Sequence, residues 1–340
     1  MNAVLSVRHL VKHFATADGR TVRAVDDVSF DLGAGEILGI VGESGCGKST
    51  LARALLYLNP PDSGEIRLGD LDLAQCSRAG LKRARADLQM VFQDPFGSLN
   101  PRHTVGTIIA EPLIVHGRPN ARARVKELLD LVGLPQSAAE RLPHQFSGGQ
   151  RQRIAIARAL ALSPRIIVAD EAVSALDVSI QSQIINLLSE LRAAFGLSMI
   201  FISHDLSVVR HLSDRVAVMY LGRFVEVAPA ATLFADPRHP YTQALISAIP
   251  APPAAAGRGI AKRARRVLPG EVPDPSRPPS GCRFHPRCFA AADICRASSP
   301  PLSQVGQSGA VARLAACHFA MEGEGGRLTS SPAAPLAAVR

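Results

Sequence analysis

Gly42-Glu43-Ser44-Gly45-Cys46-Gly47-Lys48-Ser49-Thr50 decides how the rest of the chain is read. It follows Glu36-Ile37-Leu38-Gly39-Ile40-Val41, an apolar run that reads as a buried strand, and it opens a helical pattern over 49–58. In that strand–turn–helix setting, G-x-x-x-x-G-K-[ST] is a phosphate loop. The glycines let the backbone fold tightly, so that successive N–H groups face one point. The helix N-terminus adds partial positive charge there. Lys48 would bind β/γ-phosphates and the Ser49 hydroxyl would ligate Mg²⁺, with Gly42, Ser44, Gly45, Cys46, Gly47 and Thr50 completing the cradle. A plain Gly-rich strand–helix turn is the alternative, disfavoured by strand, helix and full pattern occurring together.

Further along, Arg165-Ile166-Ile167-Val168-Ala169 and Met199-Ile200-Phe201-Ile202 are two more Val/Ile-rich strand candidates. Helical patterns cover 121–132, 150–162 and 179–195. Near-continuous apolar strands separated by helices predict an α/β fold with a parallel sheet covered on both faces. The second strand ends in Asp170-Glu171. A carboxylate at a strand tip beside a phosphate loop can hold Mg²⁺, directly or through water, which is the role expected of Asp170. Glu171, one residue beyond, is placed to orient or deprotonate an attacking water. Alone, the pair could be two solvated acids capping a strand; with the phosphate loop it indicates a P-loop NTPase.

Gln145-Phe146-Ser147-Gly148-Gly149-Gln150-Arg151-Gln152-Arg153 narrows the class. Ser147 is a helix N-cap, and Gly148 and Gly149 expose backbone N–H groups at a helix start, a second anion cradle. A simple cap would use the same residues. At this point the chain resembles the ABC ATPase family over about 1–250, with Phe146 where leucine is commoner. The resemblance implies a P-loop cassette with an N-terminal antiparallel β subdomain and a helical signature subdomain at about 95–160. It implies that Ser147 to Gln150 bind the γ-phosphate of ATP held on the opposite subunit, so that hydrolysis needs a dimer. Gln93 in Phe92-Gln93-Asp94-Pro95 is similar to the glutamine that senses Mg²⁺ and γ-phosphate. Asp177 in Ser174-Ala175-Leu176-Asp177 resembles the D-loop aspartate, and His204 in Ile202-Ser203-His204-Asp205 the switch histidine. Phe14 sits where an adenine-stacking aromatic usually lies, although an ordinary core phenylalanine is the other reading. Asp170-Glu171-Ala172-Val173 has alanine where the family usually has proline. The change leaves Glu171 in place, so ATP hydrolysis is still expected.

Several stretches are similar to the oligopeptide/dipeptide importer branch: Gln93-Asp94-Pro95-Phe96-Gly97-Ser98-Leu99-Asn100-Pro101-Arg102, residues 201–210, and His239-Pro240-Tyr241-Thr242-Gln243-Ala244-Leu245. The resemblance favours the second of two paralogous ATPases, the "F" subunit. It implies a heterodimer with a paralogous ATPase, two membrane permeases and an extracytoplasmic binding protein. Nickel and glutathione importers share the branch. Non-transport relatives in translation or DNA repair carry two cassettes or long insertions, neither of which is present here. A regulatory iron–sulfur protein that binds ATP without turnover is opposed by Glu171, Gln93 and His204.

The bulk properties fit. Of 340 residues, 47% are hydrophobic and 20% charged, as in an ordinary globular protein. The net charge of +9 invites a nucleic-acid or membrane partner, but aromatics are only 4% and tryptophan is absent, so base stacking has little to work with and no nucleic-acid partner is expected. No apolar run approaches the roughly 18–20 residues of a membrane span, and the start lacks a signal-peptide core. The expected location is the cytoplasmic face of the inner membrane, as a peripheral subunit.

After residue 250 the composition shifts to a Pro/Ala/Gly run, a basic cluster over 262–266, and a 269–279 span holding five prolines. The expected division is an ATPase domain 1–250, a C-terminal extension 251–321 and a disordered tail 322–340. Of six cysteines, Cys282, Cys288, Cys295 and Cys317 group late. Four thiolates fit a tetrahedral zinc or a cubane iron–sulfur cluster, and free or disulfide-linked thiols stay open. The resemblance to the importer branch favours [4Fe–4S], as a structural staple.

Overall fold

A computed structural model describes residues 3–174, 176–249, 266–306 and 312–320. The tail 322–340, the 251–265 part of the linker with most of its basic cluster, and Ala175 of the D-loop lie outside the described residues. In chain order, β1 (Ala3–Ala15) and β2 (Thr21–Gly33) precede β3 (Ile37–Val41) and α1 (Lys48–Leu55). Then come β4 (Ser63–Leu68), β5 (Leu71–Asp72), α2 (Arg78–Asp87) and β6 (Leu88–Val91). Four helices follow, α3 (Pro95–Ser98), α4 (Val105–Val115), α5 (Ala121–Leu131) and α6 (Gly148–Leu160). The chain then alternates through β7 (Ile166–Asp170), α7 (Val178–Phe195), β8 (Ser198–Ile202) and α8 (Leu206–Leu212). The hairpin β9 (Arg215–Tyr220) and β10 (Arg223–Pro229) leads to α9 (Ala230–Ala235) and α10 (Pro240–Ser247). Last are α11 (Asp293–Ala297), β11 (Ser303–Gln304) and β12 (Leu314–Ala315).

The first sheet, in the order β2-β1-β4-β5, is antiparallel. The second runs β11-β12-β10-β9-β3-β8-β7-β6. Its β3, β7 and β8 are fully buried, as their unbroken apolar sequences require of strands covered on both faces. From β6 to β9 the neighbours are parallel. The expected parallel core is therefore present, and at its other edge β9, β10, β12 and β11 extend it with antiparallel pairing. Only Leu221 and Gly222 separate β9 from β10, both at positive φ, 44° and 82°. That is a two-residue hairpin turn, far too short for the crossover that parallel pairing needs.

Helices α4, α5 and α6 form an insert between β6 and β7, closed by Ile109, Leu128, Leu129 and Ile154, all fully buried. Beyond the linker, β12 hydrogen-bonds to β10 (Glu226 opposite Ala315, Val227 opposite Leu314), so the late cysteine segment continues the main sheet. Arg313 also reaches the buried Glu226 at 3.5 Å and Asp236 at 3.0 Å.

Asp26 on β2 ties the first sheet to both the hairpin and the late segment. Its carboxylate meets Arg223 at 3.1 Å and His13 at 3.4 Å, and Arg283 forks between Asp26 and the Leu221 carbonyl. Burial would push this carboxyl up, but the Arg283 and Arg223 guanidiniums outweigh it and hold the carboxyl below the ordinary 3.8. A carboxyl depressed in the folded state adds stability above its unfolded value and loses it as pH falls through the folded one. Asp26→Asn should therefore destabilise the chain by about 3 kcal/mol at neutral pH, because Arg283 loses its counter-charge. It should also flatten the loss of stability that the parent shows as pH drops below 3.8. Urea unfolding at several pH values measures both.

Candidate functional site

The phosphate loop leaves β3 at Val41 and enters α1 at Lys48. Gly47, the residue before the helix, has φ 108° and ψ 1°, a left-handed conformation that favours glycine. A Cβ there would overlap the Ala24 carbonyl oxygen of β2, so glycine is required by space as well as by torsion. Cys46 is buried beneath the loop, and burial pushes its thiol up, leaving it a neutral packing group. Lys48 is 4% exposed, and its ammonium donates to the carbonyls of Gly42 at 2.8 Å and Glu43 at 3.1 Å. A cation so held inside the loop has the charge to pair with a polyanion.

Asp170 ends β7 alongside. Ser49 Oγ donates to Asp170 Oδ1 at 3.0 Å. Burial pushes the Asp170 carboxyl up, the Ser49 hydrogen bond opposes that, and the neighbouring Glu171 adds to it. A carboxylate whose charge is penalised by burial gains when a divalent cation arrives, so Ser49 and Asp170 fit a Mg²⁺ site in donor chemistry.

Glu171 takes a left-handed φ of 46°, rare for a residue with a side chain, and its N–H is fixed on the Ile202 carbonyl at 2.9 Å. Its carboxylate accepts from Gln93 Nε2 at 3.0 Å and lies 3.3 Å from His204 Nδ1. Gln93 lies just beyond β6, Glu171 beyond β7 and His204 beyond β8, which are adjacent strands. Parallel pairing puts their C-terminal ends on one edge, and so three of the expected residues meet.

Ser147 caps α6 in a reciprocal box: Ser147 N–H donates to Gln150 Oε1 at 3.0 Å, and Gln150 N–H to Ser147 Oγ at 3.4 Å. Gly148 and Gly149 face Leu176 and Ile180, so this segment lies by the approach to α7, where Asp177 is the N-cap residue. The structure joins Ser147 to Gln150, and the two glycines to Leu176 and Ile180. Phe14 also stands apart, 38% exposed near the end of β1, with the Lys12 ammonium 5.5 Å from its ring centre. Ala172, in the usual proline position, is buried.

Sequence reasoning missed Arg158 of α6, whose guanidinium donates to the Ser98 carbonyl at 2.5 Å and lies over Phe92 at 6.0 Å, tying the α6 helix to the segment after Gln93. It also missed the contacts of Tyr241 and Arg287 with Glu43. The His239–Leu245 wording was a usable signal for the first, although spacing alone says nothing of what Tyr241 touches.

The late thiols influence one another. Burial pushes Cys288 up to about 12 and Cys317 up to about 11, with smaller contributions from the charges of the other thiols. Cys282 is also raised, again chiefly by burial, with Cys295 adding. The Ala290 N–H, two residues on, donates to Cys288 Sγ at 3.4 Å. Among the described residues no group of three or more His, Cys, Asp or Glu side chains stands in a position to hold a metal ion.

Comparison with known proteins gives concordant results. The ABC transporter family profile matches residues 25–174, and the profile for the oligopeptide/dipeptide transporter C-terminal region matches 225–295. The oligopeptide transport ATP-binding protein AppF of Bacillus subtilis is 51% identical over 326 residues, 93% of this chain and 97% of that one. The probable peptide ABC transporter ATP-binding protein y4tS of Sinorhizobium fredii is 51% identical, covering 99% of this chain and 95% of its own. Among solved structures, the dimeric cassette MJ0796 in a post-hydrolysis state with ADP and Pi aligns with a TM-score of 0.61 at 30% identity. The alignment covers 66% of this chain and 98% of that one.

Lys48→Ala should weaken binding of a magnesium nucleoside triphosphate at least about tenfold, since it removes a charge-assisted contact to the phosphates. The loop would keep its fold through Gly47 and Ala24. A titration with a fluorescent triphosphate, read beside the thermal midpoint, separates lost binding from lost structure.

Proposed function

Because the chain belongs to the ATP-binding subunits of ABC transporters, in the oligopeptide/dipeptide branch, we propose that it hydrolyses ATP to drive dipeptides or oligopeptides inward through membrane permeases. The meeting of Gln93, Glu171 and His204 beside the Ser49–Asp170 pair carries this reading. The two profile matches and the peptide-transport relatives favour it over a translation or repair role. Nickel or glutathione remains the alternative cargo, since the chain touches its partners rather than the solute.

In the proposed site the loop N–H groups and Lys48 hold the β/γ-phosphates, and Phe14 stacks on adenine. Ser49, Asp170 and Gln93 would hold Mg²⁺, which would supply positive charge against the phosphate oxygens. Glu171 orients the attacking water and takes its proton as the γ-phosphorus–oxygen bond to ADP breaks, while His204 steadies the γ-phosphate. Ser147, Gly148, Gly149 and Gln150 reach the nucleotide of the opposite ATPase, with Asp177 at the seam. The mate we propose is a paralogous ATPase, with two permeases and an extracytoplasmic binding protein. Among the described residues no helix is long and apolar enough to cross a membrane, which suits a peripheral subunit on the cytoplasmic face. The segment after Gln93, braced by Arg158, is the proposed contact with a permease.

Residues 1–250 form the proposed cassette, with its helical subdomain at about 95–160, and 251–321 a cysteine-bearing extension. In that extension we propose that Cys282, Cys288, Cys295 and Cys317 hold a [4Fe–4S] cluster, with zinc as the alternative. The Ala290 N–H, which donates to Cys288 Sγ at 3.4 Å, suits a thiolate at that position, while among the described residues the four cysteine side chains do not converge on one metal position.

With its partner ATPase present, Glu171→Gln should lower ATP turnover by about 10²–10⁴-fold while the pair still binds MgATP; undiminished turnover would contradict the assignment. Protein prepared without oxygen should carry iron and sulfide in stoichiometric amounts, lost on Cys288→Ser. A colourless, iron-free parent would remove the cluster.

A further inference from the structure

The phosphate loop is gripped from outside by a segment to which the chemistry above gives no part. Arg287, one residue before Cys288, forks onto Glu43, the second residue of the loop: Nη1 meets Oε2 at 2.7 Å and Nη2 meets Oε1 at 3.1 Å. The Arg287 side chain is 7% exposed and that of Glu43 29%, so water competes little for the pair. Two parallel bonds from a planar guanidinium fix the orientation of a carboxylate as well as its position. The guanidinium's Nε–H donates to the Pro269 carbonyl at 3.4 Å.

A second contact lands on the same residue. Glu43 N–H donates to the Tyr241 hydroxyl at 2.9 Å. Tyr241 is itself pinned, its ring centre 5.3 Å from that of Phe284 and its backbone N–H on His239 Nδ1 at 3.1 Å. Phe284 lies on the same turn as Arg287, between Cys282 and Cys288, and is buried. Side chain and backbone of Glu43 are therefore both held by groups that the turn places or packs against.

We propose that Arg287 is a positioning residue for nucleotide binding, acting through Glu43 to keep the start of the phosphate loop in its phosphate-accepting shape. The cysteine-bearing turn is then a strut of the ATP site. The inference rests on the ATPase reading but does not depend on what the thiols hold.

The test uses the full-length chain, prepared without oxygen, and a fluorescent ATP analogue with Mg²⁺. Arg287→Gln and Glu43→Gln should each weaken binding by roughly tenfold, and the double variant should be no weaker than either alone. In the assembled transporter Arg287→Gln should raise the KM for ATP more than it lowers kcat, a split that general loss of stability would not give. Arg287→Lys, which keeps charge without the fork, should recover only part of the affinity. If Arg287→Gln does not fold, Tyr241→Phe is the second probe, with a loss of roughly threefold expected. Parent-like affinity in Arg287→Gln, or losses that multiply independently in the double variant, would overturn the proposal, as would parent-like affinity in Tyr241→Phe where that variant is the probe. A parent chain that does not bind MgATP would instead sink the ATPase reading itself.

Discussion

A phosphate loop binds a polyanion only while its successive N–H groups stay aimed at one point, and this chain meets that demand by crowding the loop's backbone. Gly47 lies so close to the Ala24 carbonyl that no side chain fits, and Gly42 is pressed in the same way against the carbonyl of Met219. One wall is β2 of the antiparallel sheet, and the other is the end of β9. The loop is thus shaped by two sheets that meet on it. Such a cradle costs little reorganisation when its ligand arrives, which is how preorganised donors gain strength over water. The energetic cost has been met in advance, by a left-handed Gly47 and a Lys48 charge turned inward onto carbonyls.

Opposite that cationic loop, the carboxylates are sorted by environment. Asp170 is buried, which raises its carboxyl, and it accepts from the Ser49 hydroxyl. Glu171, one residue later, has left the strand through an unusual backbone angle and turns its oxygens toward Gln93 and His204. Adjacent residues of a continuing strand would point to opposite faces of the sheet. The left-handed turn instead brings the two acids to one edge in different surroundings. The Ile202 carbonyl that fixes Glu171 belongs to the same strand end that leads to His204, so Glu171 and His204 are registered against each other by the sheet.

The parts of this site that sequence reasoning reached were those coded by neighbours along the chain. Lys48, Ser49, Asp170 and Glu171 each follow an apolar strand, and the period of burial locates them without any knowledge of contacts. The β9–β10 hairpin escaped because Leu221-Gly222 is not one of the usual turn pairs, and leucine seldom accepts a φ of 44°. The two-residue strands β11 and β12 are too short to show any alternation. The Arg287–Glu43 pair spans 244 positions, and a charge pair at that separation leaves no local trace.

That long separation also changes what the late segment is. A Pro-rich linker followed by scattered cysteines suggests an attachment hung on a finished domain, but the buried charges argue otherwise. Glu226 is fully buried on β10 and accepts N–H groups from Arg238 and His239, while Arg313 comes from beyond the linker to meet it. Burial holds the His239 imidazole down to about 3, so it stays neutral and its Nδ1 remains free to accept from Tyr241. Tyr241 in turn receives the Glu43 N–H. A chain of hydrogen bonds therefore runs from β12's partner strand to the phosphate loop, parallel to the direct Arg287 fork. Without the segment, Asp26 would lose Arg283 and keep only Arg223, and the buried Glu226 would lose Arg313, a cost a cassette complete in itself would not have to meet.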